Sequence, residues 1–288
     1  MIAQISKSQI PIVKNIRYII EMKTLKLHFE SLLDNEDIFY NPKNDKKEIE
    51  NWIRSNYIVT GKLSILKNYT VNCTGNVYAN NRSNITSLTN GLFKWGKIAR
   101  NFSCATCDDL KSLEGGPKKV GGDFCCSNCG SLTSLEDAPE EVGRDFYCMD
   151  CENLKTLEGT PEEITGNFNC TECFNLTSLK GAPKVVGGCF DCITCNGLTS
   201  LEGAPKKVGG GFYCNYCKKL KNLKGSPEYV GKDFNCIMCN GLISLEGAPE
   251  YIGGDFDCSY CENLKIIKDL SKKLRGEFWC TGCYNLDS

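Results

Sequence analysis

The stretch CSNCGSLTSLEDAPEEVGRDFYC, from Cys126 to Cys148, is one copy of a 22-residue unit followed by the first cysteine of the next copy. Nine such first cysteines lie 22 residues apart, and each is followed by a second cysteine three residues later. The nine CxxC pairs contain Cys104, Cys107, Cys126, Cys129, Cys148, Cys151, Cys170, Cys173, Cys192, Cys195, Cys214, Cys217, Cys236, Cys239, Cys258, Cys261, Cys280 and Cys283. A fixed period of this length is typical of solenoids, in which each repeat stacks only on its neighbours.

Within one unit, the spacing of apolar residues predicts which side chains face the core. Phe124 and Cys126 are two residues apart, so in an extended segment both point to the same side. Cys129 follows where the chain turns, and Gly143 lets the backbone turn toward the next strand at low steric cost. We therefore predict one short strand and one tight return per unit, with successive strands stacked about 4.8 Å apart in a parallel β-sheet.

The residues before the first CxxC pair differ from the nine cysteine-bearing repeats of residues 102–288. Residues 1–57 are not repetitive, and the i, i+3, i+4 stripe of Ile49, Trp52 and Ile53 predicts a helix near their end. We interpret this region as a small helical N-terminal cap that covers the first repeat. The alternative is a separate partner-binding module.

Residues 58–101 are predicted to be degenerate repeats. The segment GNVYANNRSNITSL (75–88) aligns with the regular unit and places Ala79 and Arg82 at its two cysteine positions. The segment GKLSI (61–65) predicts a still earlier strand. The solenoid is therefore expected to begin near residue 58.

The regular unit resembles a leucine-rich repeat. Its F-x-C-x-x-C-x-x-L segment is similar to the L-x-L-x-x-N/C core of that family, with cysteine where asparagine commonly forms a ladder. The segment LEGAPKKV (201–208) resembles the L-P-x-L-P-x-x-L of short bacterial repeats in type III secretion effectors. The segments IENWIRSNY, NYTVNCTGNVY and FKWGKIARNFSC are also similar to repeat proteins of large tailed phages and giant DNA viruses. The resemblance extends over residues 49–286 and implies a leucine-rich-repeat-type solenoid, while it says little about activity.

The composition limits the classes of partner. Hydrophobic residues make up 41% of the chain and charged residues 24%, as in a globular protein. The net charge is -1, so no broad basic field favours nucleic acid or an anionic membrane. The sequence shows no secretory signal and no apolar window of membrane-spanning length. We expect a cytoplasmic protein, in the host cytoplasm if the chain is viral, that binds neither nucleic acid nor membrane.

Three interpretations of the paired cysteines remain open. Reduced cysteine is small and apolar, so two inward columns of thiols can be purely structural, with weak S–H contacts to turn carbonyls. The spacing CxxC-x18-CxxC also fits a four-cysteine zinc site, and an iron–sulfur cluster is a related possibility. Adjacent repeats are close enough for disulfides, which a reducing cytoplasm opposes. We favour structural thiols without a cofactor, because the 22-residue period alone imposes the zinc-like spacing.

Variable positions beside the core columns are the candidate binding residues. The position between Phe and the first cysteine points outward on the strand face and varies from repeat to repeat. We call this position and the one after the first cysteine the strand-face columns. They contain the candidate residues Tyr147, Asn169, Asp191, Tyr213, Asn235, Asp257 and Trp279, and Met149, Ile193 and Ile237. Aromatic residues, Met and Asn predict a surface for a protein partner. A solvated face without a partner is the alternative.

Two charged columns have structural explanations. The position before Phe holds mainly Asn and Asp, as at Asp123 and Asp145, and these side chains are predicted to cap turn amides. An acidic stripe that attracts a basic partner or cations is the alternative. Charged pairs after the recurring proline alternate in sign between repeats, as at Lys118 and Glu140, and predict exposed ion pairs.

No catalytic constellation stands out, so we predict a non-enzymatic protein. His28 is the single histidine, and it lies outside the repeats. A metal- or redox-responsive cysteine protein is the second hypothesis, and a self-associating structural component is the third. The third hypothesis predicts a homodimer through the last repeat, whose Phe278, Trp279 and Leu286 are expected to leave an open sheet edge.

Overall fold

The computed structural model describes residues 42–79, 85–267 and 273–286, with side chains from residue 45 onward. His28 and Arg82 therefore lie outside the described residues, as does most of the predicted cap region. Within the described part of the chain, no helix has both the length and the apolar character needed to cross a bilayer.

The chain divides into two compact units, Met1–Lys47 and Glu48–Ser288. The description of the first unit is limited to the beginning of the helix α1 (Pro42–Asn56). The second unit holds the rest of this helix and a parallel β-solenoid.

The part of α1 in the second unit has the predicted apolar stripe. Ile49 and Ile53 are buried, and Trp52 packs against the same hydrophobic core. Residues spaced by three and four positions lie on one face of a helix, so this face is turned toward the solenoid core. The predicted helix is confirmed.

An aromatic cluster lies at the beginning of the column of phenylalanines. The ring of Tyr57 lies 5.3 Å from that of Trp95 and 6.3 Å from that of Phe102. Phe93 packs edge-on against Trp95 at 5.1 Å. The Tyr57 hydroxyl donates a hydrogen bond of 2.6 Å to the Leu88 carbonyl oxygen, so this buried phenol is paired.

In the part of the chain that the structure describes, the solenoid contains three sheets of short strands. The first sheet contains, in spatial order, β1 (Ile58–Val59), β4 (Val77–Tyr78), β6 (Phe102–Ser103), β8 (Phe124–Cys125), β10 (Phe146–Tyr147), β12 (Phe168–Asn169), β14 (Phe190–Asp191), β16 (Phe212–Tyr213), β18 (Phe234–Asn235), β20 (Phe256–Asp257) and β22 (Phe278–Trp279). The second sheet contains β2 (Leu63–Ile65), β3 (Thr70–Cys73), β5 (Lys94–Ile98), β7 (Lys119–Val120) and β9 (Glu141–Val142). The third sheet contains β11 (Glu163–Ile164), β13 (Val185–Val186), β15 (Lys207–Val208), β17 (Tyr229–Val230), β19 (Tyr251–Ile252) and β21 (Lys273–Leu274).

Each regular turn of the solenoid, which we call a rung, contains two short strands, so the prediction of one strand per unit is wrong. The second strand of the rung ends at a buried β-branched residue such as Val142, four residues before Phe146. Val120 pairs in register with Val142, and Ile164 pairs with Val186. β-Branched side chains favour extended backbone on a pleated, half-buried surface, which explains the second strand.

The first strands of the solenoid pair differently from those of the regular rungs. β1 pairs antiparallel with β4, and β2 pairs antiparallel with β3. Residues 58–65 therefore provide an antiparallel strand at one end of the first sheet and at one end of the second sheet. The strands of successive rungs pair in parallel, so residues 58–65 do not form a rung. The parallel array begins with β3 and β4, where Val77 aligns with Phe102. This register agrees with the predicted alignment at Val77 and Tyr78, and residues 80–84 of the aligned segment lie outside the described residues.

Continuous columns of buried side chains form the core. The Phe, first-cysteine and second-cysteine positions are fully buried from Phe124 to Cys261, as are the leucines between them. The rings of Phe168, Phe190 and Phe212 stack at centroid distances of 5.2 Å. The core therefore extends along the solenoid, and each rung contributes one layer of side chains to it. Each rung buries these side chains only against its two neighbours.

The Asn and Asp residues before Phe form a ladder that caps backbone amides, as predicted. Asp145 Oδ1 accepts a hydrogen bond from the Asn167 amide at 2.7 Å, and Asn167 Oδ1 accepts one from the Cys189 amide at 2.7 Å. Asp233 Oδ1 likewise accepts from the Asp255 amide at 2.9 Å. One oxygen of each of these side chains thus accepts a hydrogen bond from a backbone amide of the next rung. We call this column the Asx ladder.

Glycine next to the Asx ladder leads to a prediction of coupled substitutions. A Cβ atom on Gly188 would lie 2.3 Å from Asn167 Oδ1. A side chain does occur at the equivalent position as Arg144 beside Asp123, and there the Asx-ladder bond to the next amide is longer, at 3.3 Å. We expect Gly188→Ala to lower the free energy of unfolding by about 2 kcal/mol, and by less than half as much in an Asn167→Gly background. Urea denaturation measures both losses, and strictly additive losses would contradict the steric coupling.

The predicted ion pairs between rungs are confirmed. Lys118 Nζ lies 3.1 Å from Glu140 Oε1, and Lys184 Nζ lies 2.6 Å from Glu162 Oε1. All four side chains are exposed, so each pair contributes little to stability.

Candidate functional site

One turn, repeated in every rung, positions both cysteines of each CxxC pair. The strand of the first sheet ends just before the first cysteine, and the residue before the second cysteine has left-handed backbone. This residue is Thr106, Asn128, Asp150, Glu172, Thr194, Tyr216, Met238, Tyr260 or Gly282 in the nine rungs, with φ between 53° and 75°. The left-handed residue turns the chain, and both cysteines are buried in every rung except the last, where Cys280 is half-buried.

The second cysteines form a ladder of thiol hydrogen bonds. Cys195 Sγ donates to the carbonyl oxygen of Cys170, the first cysteine of the preceding rung, at 3.1 Å. Cys217 makes the same bond to Cys192 at 3.3 Å. The pattern extends through eight consecutive pairs with sulfur–oxygen distances of 3.1–3.3 Å. We call it the thiol ladder, and it confirms the predicted S–H contacts to turn carbonyls.

The first rung of the thiol ladder starts from a residue that is not cysteine. Cys107 Sγ donates to the carbonyl oxygen of Ala79 at 3.0 Å. Ala79 occupies the first-cysteine position of the preceding, degenerate rung, so only its backbone is needed as the acceptor. The acceptor role therefore does not depend on the first cysteine's own sulfur.

Burial favours the protonated thiol at two donors of the thiol ladder. It raises the pKa of Cys173 and Cys283 above the ordinary value for cysteine. A protonated thiol is a hydrogen-bond donor, while nucleophilic attack and metal ligation need the thiolate. The environment of Cys173 and Cys283 thus matches the donor role that they have in the thiol ladder, while side-chain hydrogen bonding with a neighbouring cysteine lowers the pKa of two other donors, Cys129 and Cys239.

The geometry of the cysteines bears on the three interpretations. All 21 cysteines are free thiols. Among the described residues, no group of three or more His, Cys, Asp or Glu side chains is arranged to hold a metal ion. The second sulfur of each pair is directed at a backbone carbonyl, which favours the structural interpretation. Zinc or iron–sulfur ligation by these cysteines stays a hypothesis, which the metal content of the purified protein tests.

The strand-face columns are less exposed than an outward position suggests. Most of their members are half-buried, while Trp279 in the last rung is 46% exposed. The Tyr147 hydroxyl donates a 2.8 Å hydrogen bond to Asp145 Oδ2, so its ring lies along the sheet. Burial, helped by this carboxylate, raises the pKa of Tyr147 to about 12. The candidate residues therefore form a close-packed surface of partly accessible side chains.

Asp191 lies between Asn169 and Tyr213 of the two neighbouring rungs. Its Oδ2 accepts a 3.3 Å hydrogen bond from Asn169 Nδ2. In the next rung, Tyr213 folds over Gly211, where a Cβ atom would lie 2.4 Å from the Tyr213 hydroxyl. Burial raises the pKa of the Asp191 carboxyl to about 6. The carboxylate form is thus disfavoured by desolvation.

We expect Asp191→Asn to stabilise the protein at pH 7 by about 1 kcal/mol, a value reduced for the partial exposure of the carboxyl. The folded pKa lies above that of the unfolded chain, so the wild type loses stability as the pH rises from about 4 to 6. The gain from Asp191→Asn should therefore vanish at pH 4. Thermal unfolding at both pH values measures it.

Asp257→Asn in the same column is the matched control. Asp257 Oδ1 accepts a 2.8 Å hydrogen bond from the Ser259 amide, and asparagine can keep this bond. No gain at pH 7 is expected for this variant. An equal gain in both variants would show that the effect comes from net charge and not from the environment of Asp191.

The sequence interpretation missed three exposed apolar side chains on consecutive rungs. Tyr216, Met238 and Tyr260 are 43%, 37% and 46% exposed and occupy the left-handed position of the CxxC turn. A signal was present in the sequence, since the same position holds Asn128 and Gly282, which tolerate left-handed backbone well. The turn residues were therefore predictable as a separate exposed column.

A second surface that was missed lies on the third sheet. The rings of Tyr229 and Tyr251 stack at 4.7 Å with an interplanar angle of 4°, and Lys207 Nζ lies 5.5 Å from the centre of the Tyr229 ring. These contacts occupy ring faces, so the pair has a structural explanation as a cross-strand contact.

Comparisons of the chain with protein-family models, curated proteins and solved structures found no match. The resemblance to leucine-rich repeats and to viral repeat proteins therefore stays a prediction.

Proposed function

We propose that the protein is a non-enzymatic protein-interaction module that presents its strand-face columns to a protein partner. The observation that carries the proposal is the contrast between adjacent positions. The Phe and first-cysteine positions keep one residue type and are buried in the eight rungs from Phe102 to Cys258. The position between them is Cys125, Tyr147, Asn169, Asp191 and Tyr213 in five successive rungs. One backbone geometry accepts all of these side chains, so the fold leaves this column free for recognition.

The rigidity of the strand face supports this role. Its backbone is paired in register from rung to rung, and its side chains are already held by neighbours, as Tyr147 is by Asp145. A partner that binds such a surface needs to order few side chains, which lowers the entropic cost of association. Tyr and Trp, the residue types most enriched among strong interface contacts, recur along this column.

We also propose that the solenoid is of the leucine-rich-repeat type and works in a cytoplasm, that of the host if the chain is viral. The repeated F-x-C-x-x-C-x-x-L core supports the first part, and the 21 free thiols support the second. Reducing compartments preserve thiols of this density, while oxidising ones favour disulfides.

The test is a quantitative capture of partners from extracts of the cells that produce the protein. We expect Tyr147→Ala/Tyr213→Ala/Trp279→Ala to lower recovery of a specific partner by roughly tenfold. Tyr229→Ala/Tyr251→Ala, which removes the exposed ring of Tyr229 and the half-buried ring of Tyr251 from the third sheet, is the matched control and should recover the partner as the wild type does. Circular dichroism checks that both variants are folded. Equal recovery by all three proteins would overturn the proposal.

A further inference from the structure

Three consecutive rungs carry large apolar side chains at a position where the backbone disfavours them. Tyr216, Met238 and Tyr260 have φ values of 63°, 56° and 59°. Left-handed backbone is unfavourable for residues with a Cβ atom, and Asn and Gly tolerate it best. The other six rungs use Thr, Asn, Asp, Glu or Gly at this position. We call these three side chains the turn ridge.

The turn ridge is also costly because of its exposure. Its side chains are 37–46% exposed, while the core residues of the same rungs are fully buried. The backbone turn needs none of them, since Thr194 makes the same turn one rung earlier with φ 60°. Strained and exposed apolar residues that the fold does not require indicate a binding surface.

The turn ridge has a regular spacing along the solenoid axis. The amide of Tyr216 donates to the carbonyl oxygen of Ile237 at 2.9 Å, and that of Met238 donates to Ser259 at 3.0 Å, so the rungs are in register. Stacked rings of neighbouring rungs elsewhere in this array lie 5.2 Å apart. An α-helix has a pitch of about 5.4 Å. A helix laid along the solenoid axis therefore presents one turn to each of the three rungs.

The charge beside the turn ridge has one sign on the strand side. In the rungs of Met238 and Tyr260 the columns that precede the ridge contain Asp233, Asp255 and Asp257 and no basic residue, and the next rung adds Glu277. The Asx ladder uses one oxygen of Asp233 and one of Asp255, which leaves the second oxygen of each with negative charge. This border is complementary to a row of Lys or Arg side chains.

We propose that the turn ridge binds an amphipathic α-helix of a partner protein, with apolar residues at i, i+3 or i+4, and i+7 and basic residues along one flank. Each apolar turn packs against Tyr216, Met238 or Tyr260, and the basic flank faces the acidic columns. A polyproline helix repeats every 9.3 Å and meets only the two tyrosines, and an extended strand repeats every 6.7 Å and meets the ridge out of phase. The α-helix fits all three side chains.

The experiment selects ligands without assuming a partner. A displayed library of random peptides of about 16 residues, long enough for four helical turns, is selected on the full chain. Counter-selection uses Tyr216→Thr/Met238→Thr/Tyr260→Thr, in which each rung carries the residue that Thr194 shows to be compatible with the turn. We expect selected peptides to have helical apolar spacing with Lys or Arg on one flank. Synthesised peptides should bind the variant roughly tenfold more weakly in fluorescence anisotropy.

Two controls make the result specific. Tyr229→Thr/Tyr251→Thr, on the third sheet, should bind the same peptides within about twofold of the wild type. A selected peptide with a central Pro-Gly pair should lose its binding, because it cannot form the helix. Enrichment of proline-rich or alternating sequences, equal binding by the ridge variant, or no enrichment at all would overturn the proposal. The ridge residues lie outside the strand-face columns, so such a failure leaves the strand-face proposal standing.

Discussion

Phe190→Ala is expected to lower the free energy of unfolding by about 3–5 kcal/mol. Phe190 is fully buried, and its ring stacks between Phe168 and Phe212 at 5.2 Å on both sides. Alanine removes both stacking contacts and leaves a cavity. The neighbouring rungs cannot close it, because strand pairing fixes their register. The shift of the urea denaturation midpoint measures the loss.

Phe174→Ala is the matched control for this substitution. Phe174 lies in the same array but is 38% exposed, so its removal should cost less than about 1 kcal/mol. A loss at Phe190 no larger than at Phe174 would show that the stacked column does not stabilise the array.

The region of the chain that loses stability in Phe190→Ala provides a second test of this prediction. Each rung contacts only its neighbours, so the substitution weakens the two contacts between the rung of Phe190 and the rungs on either side of it. Hydrogen exchange should therefore show weakened protection centred on the rungs of Phe168, Phe190 and Phe212, with less change near Phe102. Uniform loss along the chain would indicate that the array unfolds as one cooperative unit.

The solenoid could be predicted from the sequence because its period is long and regular. The inward positions of Phe124, Cys126 and Cys129 follow from spacing and from the turn, and all three are buried. The second strand of each rung was harder to predict, because Val142 is its single buried residue and Gly143 follows it directly. The first strand has a second inward residue, the cysteine two positions after Phe, and the second strand has no such alternation to recognise.

The direction of the first strands was also not predictable. Leu63–Ile65 was recognised as a strand, but nothing in its composition separates an antiparallel end strand from a parallel rung. Strand direction depends on which segment lies beside it, and the pairing of Leu63 with Cys73 is a tertiary contact.

The candidate site was predictable in part. The strand-face columns follow from alternation along a strand, and the structure places them beside the buried Phe column. Their half-buried state could not be predicted, since it depends on how Tyr147 and Tyr213 fold along the sheet. The carbonyl oxygen that accepts each thiol hydrogen bond could not be predicted either. It lies 25 residues earlier in the chain, which is one period plus the three residues of the turn.

Cys195→Ala is expected to lower the free energy of unfolding by about 2–4 kcal/mol. Cys195 is fully buried, and its thiol is the donor to the Cys170 carbonyl oxygen at 3.1 Å. Alanine leaves a cavity the size of a sulfur atom and leaves that carbonyl without the thiol donor. Cys195→Ser keeps a donor at nearly the same place, so it should recover about 1–2 kcal/mol of the loss. Urea denaturation ranks the three proteins.

Cys192→Ala in the same rung is the control for volume alone. Cys192 is equally buried, but it is the first cysteine of its pair, and its carbonyl rather than its sulfur takes part in the thiol ladder. Its loss should therefore be smaller than that of Cys195→Ala. Equal losses at both positions would mean that cavity formation, and not the thiol hydrogen bond, explains the ladder.

The same variants separate the structural interpretation from metal ligation. A hydroxyl donates a hydrogen bond as a thiol does, but it is a poor substitute for thiolate in a zinc or iron–sulfur site. If the ladder is a set of hydrogen-bond donors, Cys195→Ser is milder than Cys195→Ala, and the purified wild type has about 21 titratable thiols without stoichiometric metal. If the cysteines hold metal, serine and alanine are equally damaging, and both release zinc or iron that mass spectrometry detects. The ranking of serine and alanine at one buried position thus decides what the nine CxxC pairs are for.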